Sequence, residues 1–105
     1  MIHQEVLDFI KHFELGKDCF LYGCCYWFAY ILMERFHWHY DCEYMYNIEE
    51  NHFAIDIDGV LYDASGTISS DGFIPWYQVA KIDSLLYQQL IADCIDFVSV
   101  KRKER

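Results

Sequence analysis

Cys25, His52 and Asp63, in that chain order, are the residue types of a thiol nucleophile, a base and an orienting carboxylate. Cys25 opens an apolar stretch, CYWFAYILMERF, that reads as a helix ending near Phe36. At a helix N-terminus the backbone dipole favours a thiolate, and a nearby imidazolium lowers the thiol pKa further. The free N–H groups of that first turn also suit an oxyanion. Cys24 is a competing nucleophile; Cys25 is preferred because it directly precedes the aromatic start of the helix. Each residue also has a plainer use: cysteine as packing in an apolar helix, histidine as a satisfied strand residue, aspartate as a turn former.

The elements that must position these groups are readable from local pattern. Residues 52–57 (HFAIDI) and 60–64 (VLYDA) are two strands joined by Asp58-Gly59, a strong two-residue hairpin signal. With those two residues as the loop, Ile57 faces Val60, Ala54 faces Asp63 and His52 faces Ser65. Alternation then puts His52, Ala54 and Asp56 on one face with Leu61, Asp63 and Ser65, and Phe53, Ile55 and Ile57 on the other. His52 and Asp63 become diagonal neighbours about 7–8 Å apart at Cα, close enough for their side chains to meet. A carboxylate on one imidazole nitrogen fixes the tautomer and turns the other nitrogen to the nucleophile.

Gly23-Cys24-Cys25-Tyr26 resembles the G-[S/A]-C-[W/Y] segment of papain-like cysteine peptidases, in which the cysteine opens the central helix. The order of cysteine, histidine on a strand, and carboxylate or amide on the next strand is similar to that of the NlpC-type, CHAP and transglutaminase-like branches. The resemblance implies Cys25 as nucleophile, His52 as base and Asp63 as orienter in a small cysteine-dependent hydrolase or acyltransferase acting on an amide or thioester. The chain departs from the pattern in having no Gln or Asn between Phe13 and Phe28, where those peptidases carry an oxyanion-hole glutamine. It is also much shorter than a full peptidase. A longer stretch, over residues 20–95, resembles small uncharacterised phage and bacterial proteins, a likeness that brings no established activity.

Around the hairpin, residues 2–14 read as an amphipathic helix, with Ile2, Val6, Phe9, Ile10 and Phe13 on one stripe and Gly16 as its C-cap. The helix from Cys25 is apolar on nearly every face, as expected of the buried centre of a fold. Residues 41–47 read as a strand, 65–75 as a loop, and Trp76 to Val79 as a short strand or turn. Asp83 or Ser84 caps a helix running to about Cys94, and residues 97–100 form a last strand or helix end. The expected fold is a single α+β domain over residues 1–105: a buried central helix packed on a small antiparallel sheet, a minimal papain-like core.

Charge supplies a second, non-catalytic reading. Residues 1–100 hold 4 basic and 16 acidic side chains, and Lys101, Arg102, Lys103 and Arg105 crowd into a tail expected to fray. No Lys or Arg falls between Arg35 and Lys81. Direct nucleic-acid binding is disfavoured, since phosphate contacts need cations. A basic protein partner is favoured, through an acidic surface of Asp41, Glu43, Glu49, Glu50, Asp56 and Asp58. The alternative to an enzyme is therefore an acidic phage-type inhibitor of a basic, nucleic-acid-binding host protein, of the anti-CRISPR or anti-defence kind. The longest apolar run is too short for a membrane span. The first residues lack a basic signal-peptide region, and the five cysteines show no disulfide regularity, so the expected location is cytoplasmic. No cofactor is called for. His37, His39 and Cys42, with Cys24, Cys25 or His52, offer metal-ligand types at a spacing that matches no zinc module.

Overall fold

The computed structural model describes residues 2–12 and 25–92, with Cys25 described by its backbone alone. Cys19, Cys24, the cap at Gly16, residues 97–100 and the basic tail lie outside the described residues. Within them the chain is α+β, in the order α1 (Gln4–Lys11), α2 (Cys25–Phe36), β1 (Cys42–Asn47), β2 (His52–Ile57), β3 (Val60–Asp63), β4 (Gly66–Ile68), β5 (Phe73–Pro75), α3 (Trp76–Ile82) and α4 (Ser84–Leu90). The strands form one antiparallel sheet ordered β4-β3-β2-β1-β5, with β2 at its centre.

The β2–β3 hairpin forms as its residues dictate. Asp58 and Gly59 both take positive φ, 51° and 86°, the left-handed pair that a tight two-residue hairpin loop requires. The register is Ile57 opposite Val60, Asp56 opposite Leu61 and Ile55 opposite Tyr62. Pairing ends there, so the expected Ala54–Asp63 and His52–Ser65 partners are not cross-strand pairs. The chain instead turns at Ala64 and Ser65 into β4, with Asp63 opposite Gly66.

Alternation along β2 builds the core on one face. Phe28, Ala29, Leu32 and Phe36 of α2 are buried with Ile55, Ile57 and Tyr62, joined by Val6 and Ile10 of α1. A second cluster gathers Tyr46, Phe53, Val79 and Leu90, with Ile74, Trp76 and Tyr87 packed around it. Only one stripe of α2 is fully buried; Tyr26, Trp27, Tyr30, Ile31 and Met33 are half-buried, so α2 is not the all-round buried helix its composition suggests.

Three further expectations change. Helix α1 runs over Gln4–Lys11, not 2–14, and Ile2 is exposed. The stretch 65–75 is not a loop throughout: it holds two short edge strands, β4, which closes a tight hairpin on β3, and β5, whose ladder partners on β1 are distant in sequence. Trp76 begins a helix, not a strand or turn, because Pro75 sets an extended residue before it and its ring is needed against Tyr87, 4.6 Å away and stacked. The Asp83 cap forms as expected, its carboxylate accepting from the Leu86 N–H at 3.0 Å.

Candidate functional site

His52 and Asp63 meet. Nε2 of the imidazole lies 2.9 Å from Oδ2 of the carboxylate, with 13% and 10% of the two side chains exposed. Both side chains are therefore largely shielded from solvent. The sheet positions both groups: His52 is the first residue of β2 and Asp63 the last of β3, so the pair spans one end of the hairpin.

Asp63 is held from its other side. Oδ1 accepts from both the backbone N–H of Ser65, at 2.7 Å, and the Ser65 hydroxyl. Burial pushes the Asp63 carboxyl pKa up, but the hydrogen bonds from His52 and Ser65 outweigh it and hold the group below the ordinary aspartate value. Asp63 is thus an anion with one oxygen on Ser65 and the other aimed at the imidazole. Ser65 was expected only as a residue facing His52; its role as a clamp on the carboxylate follows from the turn. An Asp-x-Ser run is the local signature of such a side-chain-to-backbone turn.

A cavity of about 370 Å³ opens beside the pair, lined by Glu50, His52, Asp63, Ile68, Ser69, Asp71 and Phe73. Residues 69–72 carry the chain from β4 at one edge of the sheet to β5 at the other, and Ser69 and Asp71 of this crossover wall the cavity. The Phe73 ring stands edge-on to His52, with centroids 6.2 Å apart. Phe73, Ser69 and Asp71 carried no signal in the sequence, because the crossover brings them to the site.

Helix α2 begins at Cys25, and the next residue, Tyr26, packs edge-on against Phe53 with ring centroids 5.1 Å apart. The start of α2 therefore meets the start of β2, one residue from His52. Alternation turns Phe53 toward α2 and His52 toward the opposite face, where the cavity lies. The Cys25 side chain, and so its distance to His52, lies outside the described residues.

The remaining candidates separate. Among the described residues no three His, Cys, Asp or Glu side chains converge to hold a metal. His37 and His39 are exposed in the turn after α2. Cys42 is half-buried on β1, and burial followed by the charges of Asp58, Asp41 and Asp56 raises its thiol pKa to about 11. The acidic set lies toward the two ends of the β1–β2 hairpin. Asp41 and Asp58 join at the hairpin tip, where Asp58 accepts from the Asp41 N–H and pairs with His3. Glu43 and Asp56 face each other across β1 and β2, and Glu49 and Glu50 lie at the far turn. Among the described residues no helix is long and apolar enough to cross a membrane. No protein-family model matches the sequence, and no curated protein or solved structure matches it either.

Proposed function

We propose that the protein is a small cysteine-dependent acyl hydrolase or acyltransferase, with Cys25 as nucleophile, His52 as base and acid, and Asp63 as the orienting carboxylate. The observation that carries the proposal is the His52–Asp63 pair, formed through Nε2 and clamped by Ser65. A carboxylate on Nε2 assigns the proton exchange with the thiol to Nδ1. The contact of Tyr26 with Phe53 brings the start of α2 to the start of β2 on the face opposite to His52, so on this reading the Cys25 thiol reaches the pair around the end of β2.

In the proposed sequence, Nδ1 takes the Sγ proton and the thiolate attacks the acyl carbon of an amide or thioester. The imidazolium returns that proton to the leaving amine or thiol, and an acyl-thioester remains on Cys25. Water or another acceptor, deprotonated by His52, then attacks the thioester and releases the acyl product and the free thiol. First-turn N–H groups of α2 would hold the oxyanion.

The test is the pH dependence of iodoacetamide labelling, resolved cysteine by cysteine by mass spectrometry, in wild type and His52→Ala. A Cys25 pKa well below about 8.5, rising when His52 is removed, supports the pair. A Cys25 that labels with an ordinary or raised pKa indifferent to His52 overturns it. Cys42, held near 11 by burial and three aspartates, is the slow internal comparison.

A second reading rests on the exposed carboxylates of Asp41, Glu43, Glu49 and Glu50 together with the outward Trp38, 78% exposed. On it the protein is a non-catalytic acidic inhibitor of a basic host protein, and Cys25→Ala leaves its binding intact.

A further inference from the structure

We infer that the cavity beside the His52–Asp63 pair takes a cationic side chain, an alkylammonium or guanidinium, placed next to the acyl group that reacts. This substrate class rests on reading the pair as the working part of an acyl-transfer site.

Four features of the cavity lead to it. The cavity, about 370 Å³, falls within the usual range for small ligands and has room for one extended side chain. Its charged lining is of one sign: Glu50 and Asp71, both exposed, in addition to Asp63, whose charge is committed to His52. Among the described residues neither Glu50 nor Asp71 forms an ion pair, and the sequence places no Lys or Arg between Arg35 and Lys81 to form one within this part of the sheet. Phe73 and Ile68 give the cavity an apolar wall, and an aromatic ring attracts a cation over its face.

The acidic lining is not needed to hold the backbone. At Glu50 the N–H donates to Oδ1 of Asn47, and at Asp71 the N–H donates to Oγ of Ser69. In both cases the main chain makes the turn without using the carboxylate, and both residues line the cavity. A neutral or anionic substrate would gain nothing from two such groups, and an anion would be repelled. A lysine or arginine side chain fits on both counts: its stem would lie on Ile68 and Phe73, and its head would reach Glu50 and Asp71. The scissile carbonyl then falls back toward His52.

The experiment is an NMR titration of the Cys25→Ala protein, which cannot turn substrate over, with Nα-acetyl-lysine amide and its neutral isostere Nα-acetyl-norleucine amide. The expected result is shift changes at His52 and Phe73, with the lysine amide about four- to twenty-five-fold tighter at low salt. That figure combines two exposed ion pairs of about two- to five-fold each. The Glu50→Gln, Asp71→Asn double variant, which keeps both backbone turns, should bind the two amides alike. Equal binding by the unaltered pair of carboxylates, shifts that map elsewhere, or a lysine preference that survives the double substitution each overturns the inference. The outcome is separable from that of the labelling test. A lysine preference beside an ordinary Cys25 thiol keeps the cation site and removes the catalytic reading. An activated Cys25 without a lysine preference does the reverse.

Discussion

At the residue scale, the His52–Asp63 bond is the most specific feature of the molecule, and Ser65 is what makes it directional. With Oδ1 tied to Ser65, the carboxylate cannot rotate without losing two hydrogen bonds. Asp63→Asn keeps the size and removes the charge. It should raise the Cys25 labelling pKa toward the His52→Ala value and cost about 1–3 kcal/mol in urea unfolding. A wild-type labelling profile in Asp63→Asn would show that the carboxylate does not orient the base. Ser65→Ala leaves the N–H bond in place and should cost only about 0.5–1.5 kcal/mol, with a smaller change in the labelling profile. The pH dependence follows from the direction of the shift. The folded Asp63 value lies below the unfolded one of about 3.9, so on acidification the unfolded chain takes up the proton first. The contribution of Asp63 is therefore complete above that value and fades as pH falls through the lower, folded one. Asp63→Asn should lose this part of the acid sensitivity in urea melts between neutral pH and pH 2; an unchanged acid limb would show that Asp63 does not contribute to it.

At the element scale, the site depends on a short hairpin whose turn chemistry is demanding. Gly59 has φ of 86° with nothing near its missing Cβ, so Gly59→Ala meets backbone strain and no clash. A loss of about 1 kcal/mol, read by urea denaturation, is expected; no loss would mean that the turn relaxes to another type. The tip is also fastened to the N-terminal helix. His3 sits at the N-cap of α1 but caps nothing; its Nε2 reaches Asp58 at 2.8 Å and its ring stacks on Tyr40 at 3.9 Å. Its N–H donates to the Tyr62 hydroxyl. His3 and the Asp41 N–H together hold the Asp58 carboxyl below the ordinary range. His3→Ala should speed amide exchange in α1 and at the hairpin tip, leaving β1 protected. Uniform exchange across the chain would indicate that α1 does not open separately. Helix α2 contributes through packing: Leu32 is completely buried between α2 and the sheet, and Leu32→Ala should cost about 2–5 kcal/mol.

Over the whole molecule, charge decides which partners come near. The formal net charge is −9, and the cationic tail leaves the rest of the chain more negative still. Such a field favours encounter with cationic molecules over anionic ones. The two functional readings respond differently to salt. A complex held by the exposed carboxylates should weaken steeply between about 0.05 and 0.5 M salt, as the screening length shrinks to a few ångströms. Thiol activation by His52 is a short-range, partly buried effect, and the Cys25 labelling pKa should change little over the same range. A salt-sensitive Cys25 pKa would mean that the surface field, and not the imidazole, sets the thiol.

Local chemistry alone determined the α+β class, the Asp58-Gly59 turn, the Ile57–Val60 register and the placing of His52 with Asp63. Each depends on residues a few positions apart, on period-two alternation and on the φ preferences of two turn residues. The Asp83 cap was legible for the same reason. Tertiary structure decided everything that needed a distant partner. Strand β5 is three residues long and exists because Met45, Tyr46 and Asn47 offer it open ladder positions, whereas β4 closes a hairpin on β3, a local pairing whose residues read as a loop. Trp76 enters a helix because Tyr46, Phe53 and Tyr87 surround its ring. The clamp of Ser65 on Asp63 is local, two residues apart, and replaces the place opposite His52 that pairing extended by count had set for Ser65. The cavity with its two unpaired carboxylates arises only when the crossover brings Asp71 and Phe73 across the sheet to His52. Such placements follow from loop closure and from competition for buried surface, and neither is written in the spacing of residues along the chain.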